Sequence, residues 1–322
     1  MKQFVYGFIF AIVSIIGLGS CTEEAFDVDK VNKQTILVFL PWTGGNSSIG
    51  LTEALSNNID SICAGITDKK GLNNTRVLVF FSNNANNSTL FDLTYNDVTK
   101  EVSRTPIKTY EGSAYNSANG FADLLNEVRQ NAEALNYALI IGGHGCGWSC
   151  ADDWINYPNQ AKSFNTQQTL SYDTPFSGIQ FGTDPDNPTT RFFGSVDRKE
   201  NSIDLSTLVE GIKQSGIKMQ YILFDVCYMG NVETAYELKD VTNYLIATSS
   251  EIMAKGIPHR SMWSYLNGTT PNYGSLVNGI VNFYKNSNSP YCNMAAIDCR
   301  QLDELANVMK EINQKYTLDT TI

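Results

Sequence analysis

A histidine framed by glycines and a cysteine closing an apolar run are the residues of this chain best suited to breaking a bond. They are His144, in Gly142-Gly143-His144-Gly145-Cys146-Gly147, and Cys227, in Asp225-Val226-Cys227-Tyr228-Met229-Gly230. A free thiol, with a pKa of about 8.5, is only slightly ionised at neutral pH, and an imidazole beside it raises the thiolate fraction or protonates a leaving amine. Glycines around His144 let backbone approach a substrate and leave N–H groups for an oxyanion. Taken singly, a cysteine ending a strand is a small buried hydrophobe and a loop histidine is structural. Their joint placement at two strand ends is what points to a nucleophile and its base. The other histidine, His259, sits in Gly256-Ile257-Pro258-His259-Arg260, a turn without a glycine frame, and is the weaker candidate. The glycine loop lacks the G-x-G-x-x-G and Walker patterns of a phosphate cradle, and no G-x-S-x-G elbow occurs. His144-x-Cys146-x₃-Cys150 mimics zinc ligands but lacks a C-x₂-C pair and a fourth donor.

The elements that must hold these residues read as strands alternating with helices, which predicts an α/β/α three-layer sandwich around a mainly parallel sheet. Apolar runs at 35–40, 76–81, 137–141, 221–226 and 244–248 have the composition of strands buried on both faces. Helices are expected near 48–66, 117–135, 203–214, 274–286 and from Gly230 and Gln301, with a last strand over 294–298. Alternating residues around Asn96-Asp97 predict an appended hairpin. In open parallel sheets functional groups gather at the carboxyl ends of strands, where His144 and Cys227 both fall. Residues 148 to about 202 carry Trp, Pro, Gly, Asn and Asp without an apolar period and read as a long surface insertion.

The chain has 322 residues, 42% hydrophobic and 17% charged, an ordinary globular composition that excludes disordered and fibrous classes. A net charge of −10 without any basic block argues against nucleic acid as a partner. Lys2 followed by an apolar run of about 15 residues, Phe4 to Leu18, reads as an export signal over 1–20 that is too short for a membrane span. It ends in Leu18-Gly19-Ser20-Cys21, which resembles a bacterial lipoprotein cleavage box with Cys21 as the lipidated residue. Residues 21–34 read as a flexible tether, and Thr22-Glu23-Glu24 resembles the surface-export signal of some Bacteroidetes lipoproteins. The expected place is the cell envelope, as an outer-membrane lipoprotein exposed at the surface and held by its lipid anchor. A single domain is expected over 35–322. The sequence stops at Ile322 without a closing strand or cap, as a C-terminally truncated domain would. Nothing in the spacing of the remaining cysteines dictates a disulfide pairing.

A strand ending in His-Gly followed by a strand ending in Asp-x-Cys-x-x-Gly resembles the clostripain family of cysteine peptidases, which have a caspase-like fold. The resemblance spans roughly residues 35 to 320 and includes the hairpin and Ser250-Glu251-Ile252 after the fifth strand. The generic caspase signature does not fit: Asp225-Val226 stands where Gln-Ala would, and 83 positions separate His144 from Cys227, against about 50 in caspases. The resemblance implies a cysteine endopeptidase with His144 and Cys227 as its dyad and the backbone N–H groups of Gly145 and Cys227 as oxyanion donors. It implies Asp225 in the S1 pocket selecting Arg or Lys at P1, with a second acid in the loop after the fifth strand, where Glu251 lies; Lys255 in the same loop would counter that preference by neutralising the pocket. It further implies self-cleavage within the insertion, after Lys162, Arg191, Arg198 or Lys199. Protein or peptide substrates and a monomer are expected. This chemistry requires no cofactor, and calcium stays open: the family's type member uses it, although Asp152, Asp153, Asp184 and Asp186 do not match a calcium-loop spacing. Two other classes stay open on sequence alone: a catalytically silent surface lipoprotein that binds peptides or glycans, and a structural zinc lipoprotein.

Overall fold

The fold is that of a computed structural model, which describes residues 31–44, 50–84, 87–147, 191–196, 201–268, 272–288 and 290–316. The export signal, Cys21, most of the tether, Cys150, the four aspartates of the insertion, and Lys162, Arg198 and Lys199 lie outside the described residues.

Five apolar strands form the parallel centre of an eight-stranded sheet: β1 (Gln34–Leu40), β2 (Thr75–Asn84), β5 (Asn136–Gly142), β9 (Met219–Asp225) and β10 (Thr242–Ala247). The antiparallel hairpin β3 (Asn87–Asn96) and β4 (Glu101–Tyr110) extends one edge, and β11 (Ala295–Asp298), antiparallel to β10, closes the other. The sheet order is β11-β10-β9-β5-β1-β2-β3-β4.

Side chains alternate across each central strand, so each face needs its own cover. Leu37, Phe39, Leu139, Ile141, Ile222 and Phe224 pack with helices α2 (Ala118–Asn131), α3 (Leu205–Ser215) and α4 (Val232–Leu238). Their strand neighbours Ile36, Val38, Ala138, Ile140, Tyr221 and Leu223 pack with α1 (Thr52–Asp68), α5 (His259–Leu266) and α6 (Tyr273–Lys285). The three-layer sandwich read from the alternation is the observed architecture. A last helix, α7 (Leu302–Lys315), follows β11 and buries Leu302 alone.

Three boundaries differ from the sequence reading. Gln34 is not tether but the fully buried first residue of β1; its amide donates to Gln220 Oε1 (3.1 Å) and accepts from the Gly268 N–H (2.8 Å). The segment after Gly256, read as loop, contains α5, whose eight residues are too few to show a clear helical period. The insertion does not run unbroken to 202. Phe192–Gly194 forms β7, which pairs with β6 (His144–Gly145) and with β8 (Ser202–Asp204) in a separate three-stranded sheet. Phe192 and Phe193 are buried, so this end of the insertion belongs to the core. Two apolar residues are too short a run to register as a strand among Gly, Asn and Asp.

Candidate active site

Strands β5 and β9 lie side by side, and Gly142 is in register with Asp225. Two residues beyond that pair stand His144 and Cys227. The shared register, more than either sequence motif, brings them to one place. Both line a cavity of about 100 Å³, together with Asn58, Gly143, Asp225 and Ile252.

The histidine loop is held from behind. Gly143 has φ +151°, a conformation that side chains rarely adopt, and it turns the chain out of β5. His144 and Gly145 then pair with Gly194 and Phe193, and the Cys146 N–H donates to the Phe192 carbonyl (3.1 Å). The buried Trp42 ring stands 5.8 Å from the His144 ring, centroid to centroid, and limits how far the imidazole can swing.

The cysteine loop is laced to the segment after β10. Tyr228 N–H donates to Ser250 O (2.9 Å) and Gly230 N–H to Thr248 O (2.7 Å). Tyr228 itself has φ +62°, a left-handed conformation costly for an aromatic residue. The half-buried Cys227 thiol contacts the Ile252 N–H (3.4 Å) and the Ile252 carbonyl (3.7 Å). Burial pushes the thiol above its ordinary pKa; Glu251 and Asp225 add to the rise, while the Ile252 N–H opposes it. The free thiol is thus protonated near neutral pH. Alkylation of Cys227 by iodoacetamide, followed by mass spectrometry of its peptide, should therefore keep accelerating as pH rises past the ordinary thiol value of about 8.5. A plateau reached already near neutrality would show a preformed thiolate instead.

Asp225 is buried beside the cysteine, and both its oxygens are engaged. Oδ1 accepts from the Ile257 N–H (2.9 Å), and Oδ2 lies 3.0 Å from His259 Nε2. The segment carrying these donors follows Gly256, where an added Cβ would stand 2.4 Å from Oδ2. Glu251 does not join it: it is exposed, and its carboxylate accepts from the Tyr228 hydroxyl, which burial and this contact push up to about 12. Lys255 does not neutralise the cavity either, since its ammonium sits over the Phe283 and Tyr284 rings at 5.0 and 4.7 Å. Arg191 is tied by an ion pair to Glu237 of α4 (2.5 Å) at the start of β7, so a cut after it would have to unzip that strand. Cys146 is buried with its thiol pushed up to about 12. The five described cysteines are free, and among the described residues no three of His, Cys, Asp or Glu cluster to hold a metal ion. Nor is any described helix long and apolar enough to cross a membrane.

Three contacts of the site are not written in any sequence motif: the Trp42 ring beside His144, the Ile252 backbone at the Cys227 thiol, and His259 at Asp225. The Trp42 ring and the Ile252 backbone reach the site by tertiary placement that no local pattern announces. His259 carried a signal, as one of only two histidines, but its partner lies 34 positions away.

Residues 181–320 match the model of the clostripain family. A secreted C11 cysteine protease from Bacteroides thetaiotaomicron, iotapain, is 33% identical and superposes with a TM-score of 0.73, over 90% of this chain and 72% of that one. The chain belongs to the clostripain family. It is accordingly a cysteine peptidase, acting on peptides. Two further structures share the clostripain fold at lower identity. One is an inactive zymogen C11 protease from Parabacteroides distasonis (21% identity, TM-score 0.65, 89% of this chain and 68% of that one). The other is a secreted C11 cysteine protease from B. thetaiotaomicron in complex with an irreversible peptide inhibitor (20%, 0.62, 88% and 70%). None of the curated proteins compared with the chain matches it.

Proposed function

We propose that this clostripain-family member is an endopeptidase that cuts after Arg or Lys through a Cys227–His144 dyad. The observation that carries the reading is the shared cavity: a thiol, an imidazole and a buried carboxylate, Asp225, all line it. In the first step Cys227 Sγ attacks the scissile carbonyl carbon while its proton passes to His144. The thiol is held protonated by its surroundings, so His144 serves as general base in the attack rather than as partner of a standing thiolate. The oxyanion is received by the N–H groups of Gly145 and Cys227. Collapse of the tetrahedral species breaks the C–N bond, and His144 returns the proton to the departing amine. Water, deprotonated by His144, then hydrolyses the thioester. These steps require no cofactor.

Asp225 supplies the negative charge for the P1 side chain, and Glu251 is left out of the pocket. The same preference turned on the chain itself would cut the insertion after Lys162, Arg198 or Lys199. An export signal ending at Cys21, with relatives described as secreted, supports a lipid-anchored protein of the cell envelope.

Fluorogenic peptides ending in Arg, Lys, Asp or Ala test the specificity. Arg and Lys substrates should exceed Ala in kcat/KM by about 100-fold or more, as a charge-assisted contact in a small desolvated site provides. Asp225→Ala should erase that preference while leaving Ala-peptide cleavage measurable. Equal cleavage of all four peptides by the unaltered chain would overturn the assignment of Asp225.

A further inference from the structure

Asp225 is boxed in on the side away from the cavity, and the box contains a histidine that the dyad does not use. His259 opens α5, is 2% exposed, and points Nε2 at Asp225 Oδ2 from 3.0 Å. Its other ring nitrogen, Nδ1, is buried and has no hydrogen-bond partner among the described residues. A neutral imidazole carries one proton and one lone pair. An unpaired lone pair at Nδ1 is the lesser cost; an N–H there would be a buried donor with no acceptor. An imidazolium, like the Nδ1–H tautomer, would place that unaccepted N–H at Nδ1, so the geometry favours a single ring proton, on Nε2 and donated to Asp225.

Neutrality matters because of what surrounds the carboxylate. From α1 it faces Asn58, which lines the same cavity, and Ser61 Oγ accepts from the Arg260 N–H (3.0 Å) just beyond His259. From α6 comes Tyr284, whose hydroxyl donates to the Gly256 carbonyl (2.6 Å). The two cations of this segment are committed elsewhere, Lys255 to the Phe283 and Tyr284 rings and Arg260 to Asp68 (2.7 Å). Of the remaining titratable neighbours, Cys227, Cys292 and Glu251 bring no positive charge, and His144, across the same cavity, carries one only while it holds the proton taken from Cys227. Ile257 and His259 thus fix the carboxylate with two neutral donors and leave its charge uncompensated beside Cys227.

We propose that His259 is a specificity-determining positioning residue: a neutral imidazole that donates Nε2–H to Asp225 and keeps an oriented, uncompensated carboxylate at the P1 cavity. The inference rests on the reading of Asp225 as the P1 acid, and it adds that selectivity for a basic side chain requires this neutral donor as well. Protonation of His259 would turn the pair into a self-satisfied ion pair and blunt the attraction for a cationic P1 group.

Two measurements test it. With only two histidines in the chain, ¹⁵N-histidine labelling of the full protein gives two ring spin systems, and His144→Ala assigns them. Near neutral pH the His259 ring should show the neutral Nε2–H tautomer; an imidazolium or an Nδ1–H pattern would overturn the proposal without any activity assay. In the second, His259→Leu should raise KM for Arg and Lys peptides by about 10-fold or more, the worth of a hydrogen bond to a charged group, with kcat and Ala-peptide cleavage little changed. His259→Gln, whose amide N–H can take the place of Nε2–H, should restore most of the loss. If His259→Leu lowers cleavage of every peptide alike, and His259→Gln does not rescue, His259 is merely structural. The Asp225→Ala variant separates the two ideas. If it keeps the basic preference, the P1 reading fails and this proposal with it. If it loses the preference while His259→Leu keeps it, only the role of His259 fails.

Discussion

Cys227→Ala should abolish peptide hydrolysis, with kcat falling by about 10⁴-fold or more, as happens when a catalytic nucleophile is removed. The prediction is sharp because, among the five described cysteines, Cys227 alone lines the cavity with His144. Cys146 is buried with its thiol pushed up to about 12, and Cys299 is buried with its thiol pushed up to about 11. Cys227 is half-buried, so the fold should lose little: the thiol gives up only its contacts with Ile252 at 3.4 and 3.7 Å. His144→Ala should cost a comparable factor, and the double variant no more than the worse single one, because nucleophile and base act as a unit. Progress curves with an Arg or Lys peptide, alongside thermal melts, decide the matter. If Cys227→Ala melts normally and keeps more than about 1% of the activity, the nucleophile lies elsewhere.

How much of this was legible in the sequence depends on the range over which each feature is encoded. The five central strands were plain because each is an apolar run buried on both faces, a local property of residues such as Ile36 to Leu40. His144 and Cys227 were legible for a related reason: both follow such runs within two residues, so finding the strands found the loops. The strap behind His144 was not. Phe192 and Phe193 are two buried residues in a polar stretch, and their partners lie nearly fifty positions back, at Cys146 and Gly145. The surroundings of Asp225 were hidden likewise. Whether that carboxylate met Lys255, Glu251 or His259 depends on how the chain turns at Gly256, where φ is +64°. Lys255 turned away to two aromatic rings, and His259, the weaker histidine candidate in the sequence, turned in. Composition names the residues of such a loop, but the backbone dihedrals choose among them.

Gly145→Ala should be nearly as damaging to catalysis as losing a member of the dyad, although it removes no functional group. A Cβ at this position would stand 2.4 Å from the Cys227 carbonyl oxygen and 2.6 Å from Val226 Cγ2. Neither neighbour is the free end of a flexible side chain: one is backbone, the other belongs to a fully buried valine. The loops must part by several tenths of an ångström or more, and the displacement falls between the proposed base and its nucleophile. It also shifts the Gly145 N–H, proposed to receive the oxyanion. Misplacement on this scale costs about 100-fold in rate, and losing an oxyanion donor costs about 100- to 1000-fold. Overpacking should lower stability by about 1–3 kcal/mol, read as a reduced urea midpoint. Gly274→Ala in α6 is the matched control, since its Cβ would meet nothing within 4 Å. That variant should leave activity unchanged. The loss in Gly145→Ala should lie in kcat, because the P1 cavity around Asp225 is formed by other residues. A folded Gly145→Ala with the kcat of the unaltered chain would mean that the two loops do not meet as closely as the structure places them, and the oxyanion role of Gly145 would fall with that contact.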